Sequence, residues 1–188
     1  VARASVSVLD AFFRPKSVAI VGVRLRATLI VAALPLLACS PELDWRELKS
    51  SEGGFTAVMP AKPRYETRTL SRPAVTMHLW SAQAGKSLFA IGYADYPAGG
   101  ALFLDATRNA LVGNIQGNLI EETPLPKSGL AGRSLVAEGG ELVLKAQLFA
   151  SGSRLYQLVV LGPRNALNAA DVDLFFFSFH PQTATPGN

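Results

Sequence analysis

The chain has 188 residues, 49% hydrophobic and 17% charged, with one cysteine and a formal net charge of +4. The excess sits in the first 38 residues, where Arg3, Arg14, Lys16, Arg24 and Arg26 face one acid, Asp10; residues 39–188 carry thirteen charges of each sign. Nothing in a neutral body argues for a nucleic-acid footprint, which needs clustered Lys and Arg on one face, and a single cysteine excludes an internal disulfide.

Residues 8–23 (VLDAFFRPKSVAIVGV) resemble the start of the CoA-binding domain of NDP-forming acyl-CoA synthetases. In that family a similar strand leads into a glycine-bearing phosphate turn. Here Gly22 is followed by Val23-Arg24-Leu25-Arg26, without further turn glycines or the βαβ context such a site needs. We therefore read 1–22 as a non-native extension from a start site placed too far upstream. The other reading is a genuine extension ending in an uncleaved anchor.

Residues 23–38 read as a signal peptide. Arg24 and Arg26 form the basic flank, and Ala27 to Ala38 (ATLIVAALPLLA) is an uncharged run. A spanning helix needs ~20 apolar residues, whereas the apolar region of a secretory signal takes ~7–15. Leu36-Leu37-Ala38-Cys39 resembles the lipobox of bacterial lipoproteins. That resemblance implies cleavage between Ala38 and Cys39 and lipidation of the Cys39 thiol. Leu37 departs from the commoner Ala, Ser or Thr. The alternative is a buried apolar helix with a buried thiol, since free cysteine packs as a small hydrophobe. Serine at position 40 resembles the outer-membrane sorting pattern of Gram-negative lipoproteins.

Residues 39–44 read as a tether, 45–181 as one domain and 182–188 as a frayed, disordered tail. A chain of 150 residues buries ~68–70% of its unfolded surface and needs no staple. Phe55 to Met59 reads as a strand after the Gly53-Gly54 turn, and Tyr65 to Leu70 as a polar edge strand. Val75, Met77 and Leu79 alternate with Thr76, His78 and Trp80 at the strand period. Gly85-Lys86 supplies a hairpin turn into Leu88 to Asp95, which puts Phe89, Ile91 and Tyr93 on one face. These four strands are expected to form one antiparallel meander.

A helix is expected from about Ala101 to Ile115, with Leu104, Leu111 and Ile115 on one face and Phe103, Ala106 and Ala110 beside them. Gly117 or Asn118 would end it. Strands follow over Leu119–Leu125, Arg133–Ala137, Leu142–Phe149 and Leu155–Leu161, joined by Gly139-Gly140 and Gly152-Ser153 turns. Asn168 would cap a last helix that docks through Val172, Phe175, Phe176 and Phe179. Runs of strands with two helices argue for an α+β fold, an antiparallel sheet flanked by two helices.

Several segments resemble PsbP/DcrB-like bacterial domains across nearly all of 45–180. They are Gly53-Gly54-Phe55…Met59-Pro60, Tyr93-Ala94-Asp95-Tyr96-Pro97 before a helix, and Arg154-Leu155-Tyr156-Gln157-Leu158 before the last one. The resemblance implies an αβα sandwich and a binding or assembly role rather than catalysis.

The motifs that tempt a catalytic reading each have a plainer one. Gly85-Lys86-Ser87 lacks the glycine at position 80 that a phosphate loop requires, and a strand follows it. His78 and His180 have no acid at ligand spacing, and zinc needs three or four converging ligands. We expect no metal and no cofactor. Ser151-Gly152-Ser153 is a turn rather than a nucleophile elbow. Glu121 and Glu122, adjacent on a strand, point to opposite faces. Trp80, Tyr93, Tyr96 and Tyr156 are the candidate binding surface, Tyr and Trp being enriched at interface hot spots; the alternative is that they pack between helix and sheet.

The expectation is a non-enzymatic, lipid-anchored domain of the cell envelope facing the periplasm. Its partners would be the membrane, through Cys39, and an unknown envelope protein or ligand, with no nucleic acid. A small-molecule or lipid binder with a pocket between sheet and helix is the alternative, and an unrecognised hydrolase built on His78 the third reading.

Overall fold

The computed structural model describes residues 43–127 and 130–182. The extension 1–22, the signal 23–38, Ala38, Cys39 and the tail beyond 182 lie outside the described residues.

Seven strands form the main sheet: β3 (Arg64–Ser71), β4 (Ala74–Ala84), β5 (Ser87–Asp95), β6 (Asn118–Pro124), β7 (Ala131–Gly139), β8 (Leu142–Ser151) and β9 (Arg154–Pro163). Their order is β3-β4-β5-β9-β8-β7-β6, every pair antiparallel. The polar strand β3 is at one edge, as its charges suggest. The hairpin turns fall at Gly85, Gly140 and Gly152, all at positive φ. Each is a backbone position that glycine adopts without penalty.

The two faces of this sheet carry separate cores. On one, α1 (Leu104–Asn114) seats Leu104, Leu111 and Ile115 against Val75, Met77, Leu135, Leu144 and Leu155. Ala106, expected beside that face, is exposed, and Thr107 is buried there instead. On the other face lie α2 (Ala169–Ser178) and a small sheet of β1 (Arg46–Ser50), β2 (Phe55–Met59) and β10 (His180–Pro181). Phe55, Phe149, Phe175 and Phe179 are fully buried there. Each such side chain contributes about 1.5–3 kcal/mol of burial free energy. The fold is therefore α+β with a helix on each face of an antiparallel sheet.

One correction concerns the first strands. β2 pairs with β1 and β10 and not with β3, so the meander begins only at β3. Pro60 and Pro63 sit in the connection and cannot donate to a ladder, which frees the chain to change sheets. β2 then buries Phe55, Ala57 and Met59 on alternate positions against the main sheet.

The end of α1 is a second correction. Gln116, not Gly117 or Asn118, takes the left-handed conformation at φ 50°. Its N–H reaches Gly113 O at 3.0 Å and Gly117 N–H reaches Val112 O at 3.1 Å, the bond pair of a Schellman motif. Gly117 is required for a different reason: a Cβ there would stand 2.4 Å from Glu138 O.

At the other helix, Asn168 caps as expected, its Oδ1 accepting from Ala170 N–H at 2.8 Å and Asp171 N–H at 3.4 Å. No helix among the described residues is long and apolar enough to cross a membrane.

Candidate functional site

Strand register lines up four rings on the α2 face. His78 of β4 faces Tyr93 of β5, Tyr93 faces Tyr156 of β9, and Tyr156 faces Phe149 of β8. Side chains directly opposite in antiparallel strands stand close enough to pack. The His78 and Tyr93 rings are parallel at 4.6 Å, and the Arg154 guanidinium lies 4.4 Å from the Tyr93 ring centre. At the far end of the row, Phe149 stacks on Phe179 at 5.8 Å.

The β1–β2 turn closes over this row. Tyr156 donates its hydroxyl to Gly53 O at 2.8 Å, and Arg154 Nη1 donates to Glu52 O at 2.8 Å. Arg154 Nε and Nη2 also donate to the two Asp95 oxygens at 2.7 and 2.6 Å. Those bonds hold the Asp95 carboxyl below its ordinary range and raise the Arg154 guanidinium further. The Tyr93 hydroxyl is buried and has no hydrogen-bond partner among the described residues. Burial first, then the nearby Glu52 charge, pushes it up to about 12.

Of the four candidate aromatics, Tyr93, Tyr96 and Tyr156 are buried and Trp80 is half-buried. Trp80, Tyr93 and Tyr156 share the α2 face, whereas Tyr96 stacks on Phe103 at 4.1 Å on the α1 face. The exposed aromatic of the region is Tyr65, 51% accessible and tilted on Trp80 at 4.8 Å.

His78 Nδ1 and the Tyr65 hydroxyl are 2.7 Å apart, while Nε2 stands 3.9 Å from Glu52, outside hydrogen-bond reach. His180 belongs to β10, and its Nδ1 is 2.8 Å from Ser178 O. Gly85-Lys86 is the β4–β5 turn and Gly152-Ser153 the β8–β9 turn. Glu122 is held by Arg108 and Arg133 at 2.8 and 2.9 Å, and Arg133 continues to Asp105 on α1 at 2.5 Å. Glu121 is exposed.

A concave feature lies at the opposite end of the aromatic row. A groove of about 350 Å³ between α2 and the sheet is lined by Leu125, Pro126, Lys127, Gln147, Phe176 and Phe177, with Asp173 on its helix side. Phe177 is 78% exposed and Leu174, one turn before it, 44%. The Lys127 backbone is pinned by reciprocal bonds with Leu130, 3.2 Å from its N–H and 2.9 Å to its carbonyl. Its ammonium donates to Phe176 O at 2.9 Å and lies 5.8 Å from both the Phe149 and Phe179 rings. Burial lowers its pKa from the ordinary lysine value.

A pocket between sheet and helix was the alternative expectation, but none of these lining residues was singled out for it from the sequence. The available signals were a lysine directly after a Pro-Leu-Pro stretch and a third phenylalanine in a row of which helical geometry buries only two.

No protein-family model and no curated protein matches the sequence. Among solved structures, the chain is similar to the solution structure of cyanobacterial PsbP (CyanoP) from Synechocystis sp. PCC 6803. The TM-score is 0.52 at 11% identity, over 78% of this chain and 99% of that one. A Pseudomonas aeruginosa protein of unknown function gives a TM-score of 0.40 at 16% identity, over 77% and 98%. The first likeness shows a PsbP-like fold. It concerns the fold alone, which many chemistries share.

Proposed function

We propose that this PsbP-like domain is a non-enzymatic binding or assembly module of the cell envelope, anchored through lipid on Cys39 and facing the periplasm. The observation that carries the reading is the short interval between the cysteine and the fold. Cys39 closes an Arg-flanked apolar run, and β1 begins at Arg46. At ~3.5 Å per residue that interval spans at most about 25 Å, so the domain would work at the bilayer surface. Two or three acyl chains on the cysteine would hold it there stably, whereas one would not.

Binding rather than catalysis is supported by how the polar groups are employed. Arg154, Asp95, Tyr156, Glu122, Arg108 and Arg133 are held in bonds to one another or to the backbone, which stiffens the fold. The α2 groove supports a second reading, a small-molecule or lipid binder. Its 350 Å³ falls at the low end of the ~300–1,000 Å³ typical of such sites, and its walls are apolar with a few polar groups.

Fractionation of host cells expressing Cys39→Ser tests the anchor. The variant is expected in the soluble fraction; membrane partitioning equal to that of the parent would overturn the reading.

A further inference from the structure

We propose that the groove between α2 and β8 binds an acyl carboxylate, its chain lying on Phe176, Phe177, Leu125 and Pro126 and its carboxylate on Lys127 and Gln147. This rests on the binding reading above and deepens it, but is independent of Cys39.

Lys127 is drawn into apolar surroundings, where an ammonium is costly unless paired. Among the described residues no carboxylate stands within ion-pair distance of it; one N–H is taken by Phe176 O, and the Phe149 and Phe179 ring centres lie 5.8 Å away. An ammonium has three donors, so two remain. Gln147, on the sheet side of the same groove, makes no side-chain hydrogen bond among the described residues, and its amide offers two more donors. Two oxygens of one carboxylate match that set.

The apolar part follows from the walls. Phe177 exposes most of its ring beside the opening, where an alkyl chain would cover it. At the ~30 Å³ a water molecule occupies, 350 Å³ holds roughly a dozen heavy atoms, the size of a medium-length fatty acid. A cationic amphiphile is disfavoured by Lys127, and an uncharged one would leave the ammonium as it is. Asp173 is the opposing feature: its carboxylate on the α2 side repels the anion and limits affinity.

The test uses the purified chain and isothermal titration with decanoate, 1-decanol and decyltrimethylammonium. Decanoate is expected to bind one to one, with 1-decanol weaker by about tenfold or more, the scale of a charge-assisted hydrogen bond, and the cation not at all. Lys127→Met should reduce decanoate to the level of 1-decanol, Lys127→Arg should retain part of the difference, and Asp173→Asn should tighten decanoate. Equal binding of decanoate and 1-decanol by the parent, or unchanged decanoate affinity in Lys127→Met with a parental unfolding midpoint, overturns the assignment. So does absence of decanoate binding. If decanoate fails while a photoreactive residue in place of Phe177 crosslinks to an envelope protein in cells, the ligand class is wrong and the binding reading stands; failure of both removes both.

Discussion

Arg154 and Asp95 face one another in register where β9 begins and β5 ends, and the arginine grips both carboxylate oxygens, at 2.7 and 2.6 Å. The same guanidinium caps the Tyr93 ring and donates to the Glu52 carbonyl, so one side chain joins the main sheet to the β1–β2 turn. Arg154→Ala removes all of these at once and leaves Asp95 without its partner. The expected loss is about 2 kcal/mol in urea unfolding, kept modest because Asp95 is nearly half exposed and screened by solvent. The sign with pH is set by the carboxyl. Its folded-state pKa is depressed by Arg154, so its contribution is present above the unfolded value of ~3.9 and is lost as pH falls through the folded one. Asp95→Asn should flatten the acid side of the stability profile; a profile that keeps the parental acid slope would remove the pair from the account.

Tyr93 makes the opposite prediction at high pH. Its hydroxyl is buried without a partner among the described residues, and its folded pKa is about 12 against ~10 unfolded. The native state therefore holds the neutral phenol while the unfolded chain ionises. Stability is full below pH ~10 and falls as pH rises from there through about 12. Tyr156 and Tyr96, also raised by burial, add to the same decline. Tyr93→Phe deletes the unsatisfied hydroxyl while keeping the ring between His78 and Arg154. It should be neutral or more stable by up to about 1 kcal/mol at pH 7, and should lose stability less steeply above pH 10. A variant clearly less stable at pH 7 would mean that the hydroxyl has a partner.

What the sequence conveyed was whatever depends on short-range chemistry. Alternation over Val75–Trp80 and glycines at the turns located the strands, because a period of two and a positive φ are local properties. Asn168 declared the start of α2 for the same reason. β1 was missed because Arg46-Glu47-Leu48-Lys49-Ser50 has a single large apolar residue; its strand state comes from pairing with β2. The residues of the groove were missed because nothing near Lys127 indicates that the Phe176 carbonyl, almost fifty positions later, will accept a hydrogen bond from its ammonium. Tyr93, Tyr96 and Tyr156 looked alike in sequence, yet Tyr96 stands an odd number of positions after Tyr93, just past the end of β5, and falls on the α1 face.

The glycines around the end of α1 separate packing from propensity in a single experiment. Gly139 and Gly117 lie where the helix exit meets the β7–β8 hairpin. A Cβ on Gly139 would stand 2.1 Å from Ile115 O, and one on Gly117 2.4 Å from Glu138 O. Both obstacles are backbone, so neither can be relieved by a rotamer change. Gly139→Ala and Gly117→Ala should each cost about 2–3 kcal/mol as the helix end is forced away from the hairpin. Because a Cβ on Gly139 also comes within 3.1 Å of the Gly117 Cα, the double variant should cost less than the two single losses combined. Gly113, in the last turn of α1, has nothing within 4 Å of its added Cβ. Gly113→Ala therefore gains helix propensity without a clash and should stabilise by about 0.5–1 kcal/mol. Urea midpoints of the four variants check this. Gly139→Ala unfolding at the parental midpoint would show that α1 does not seat against the hairpin, and with it would go the anchoring of the α1 face of the sheet.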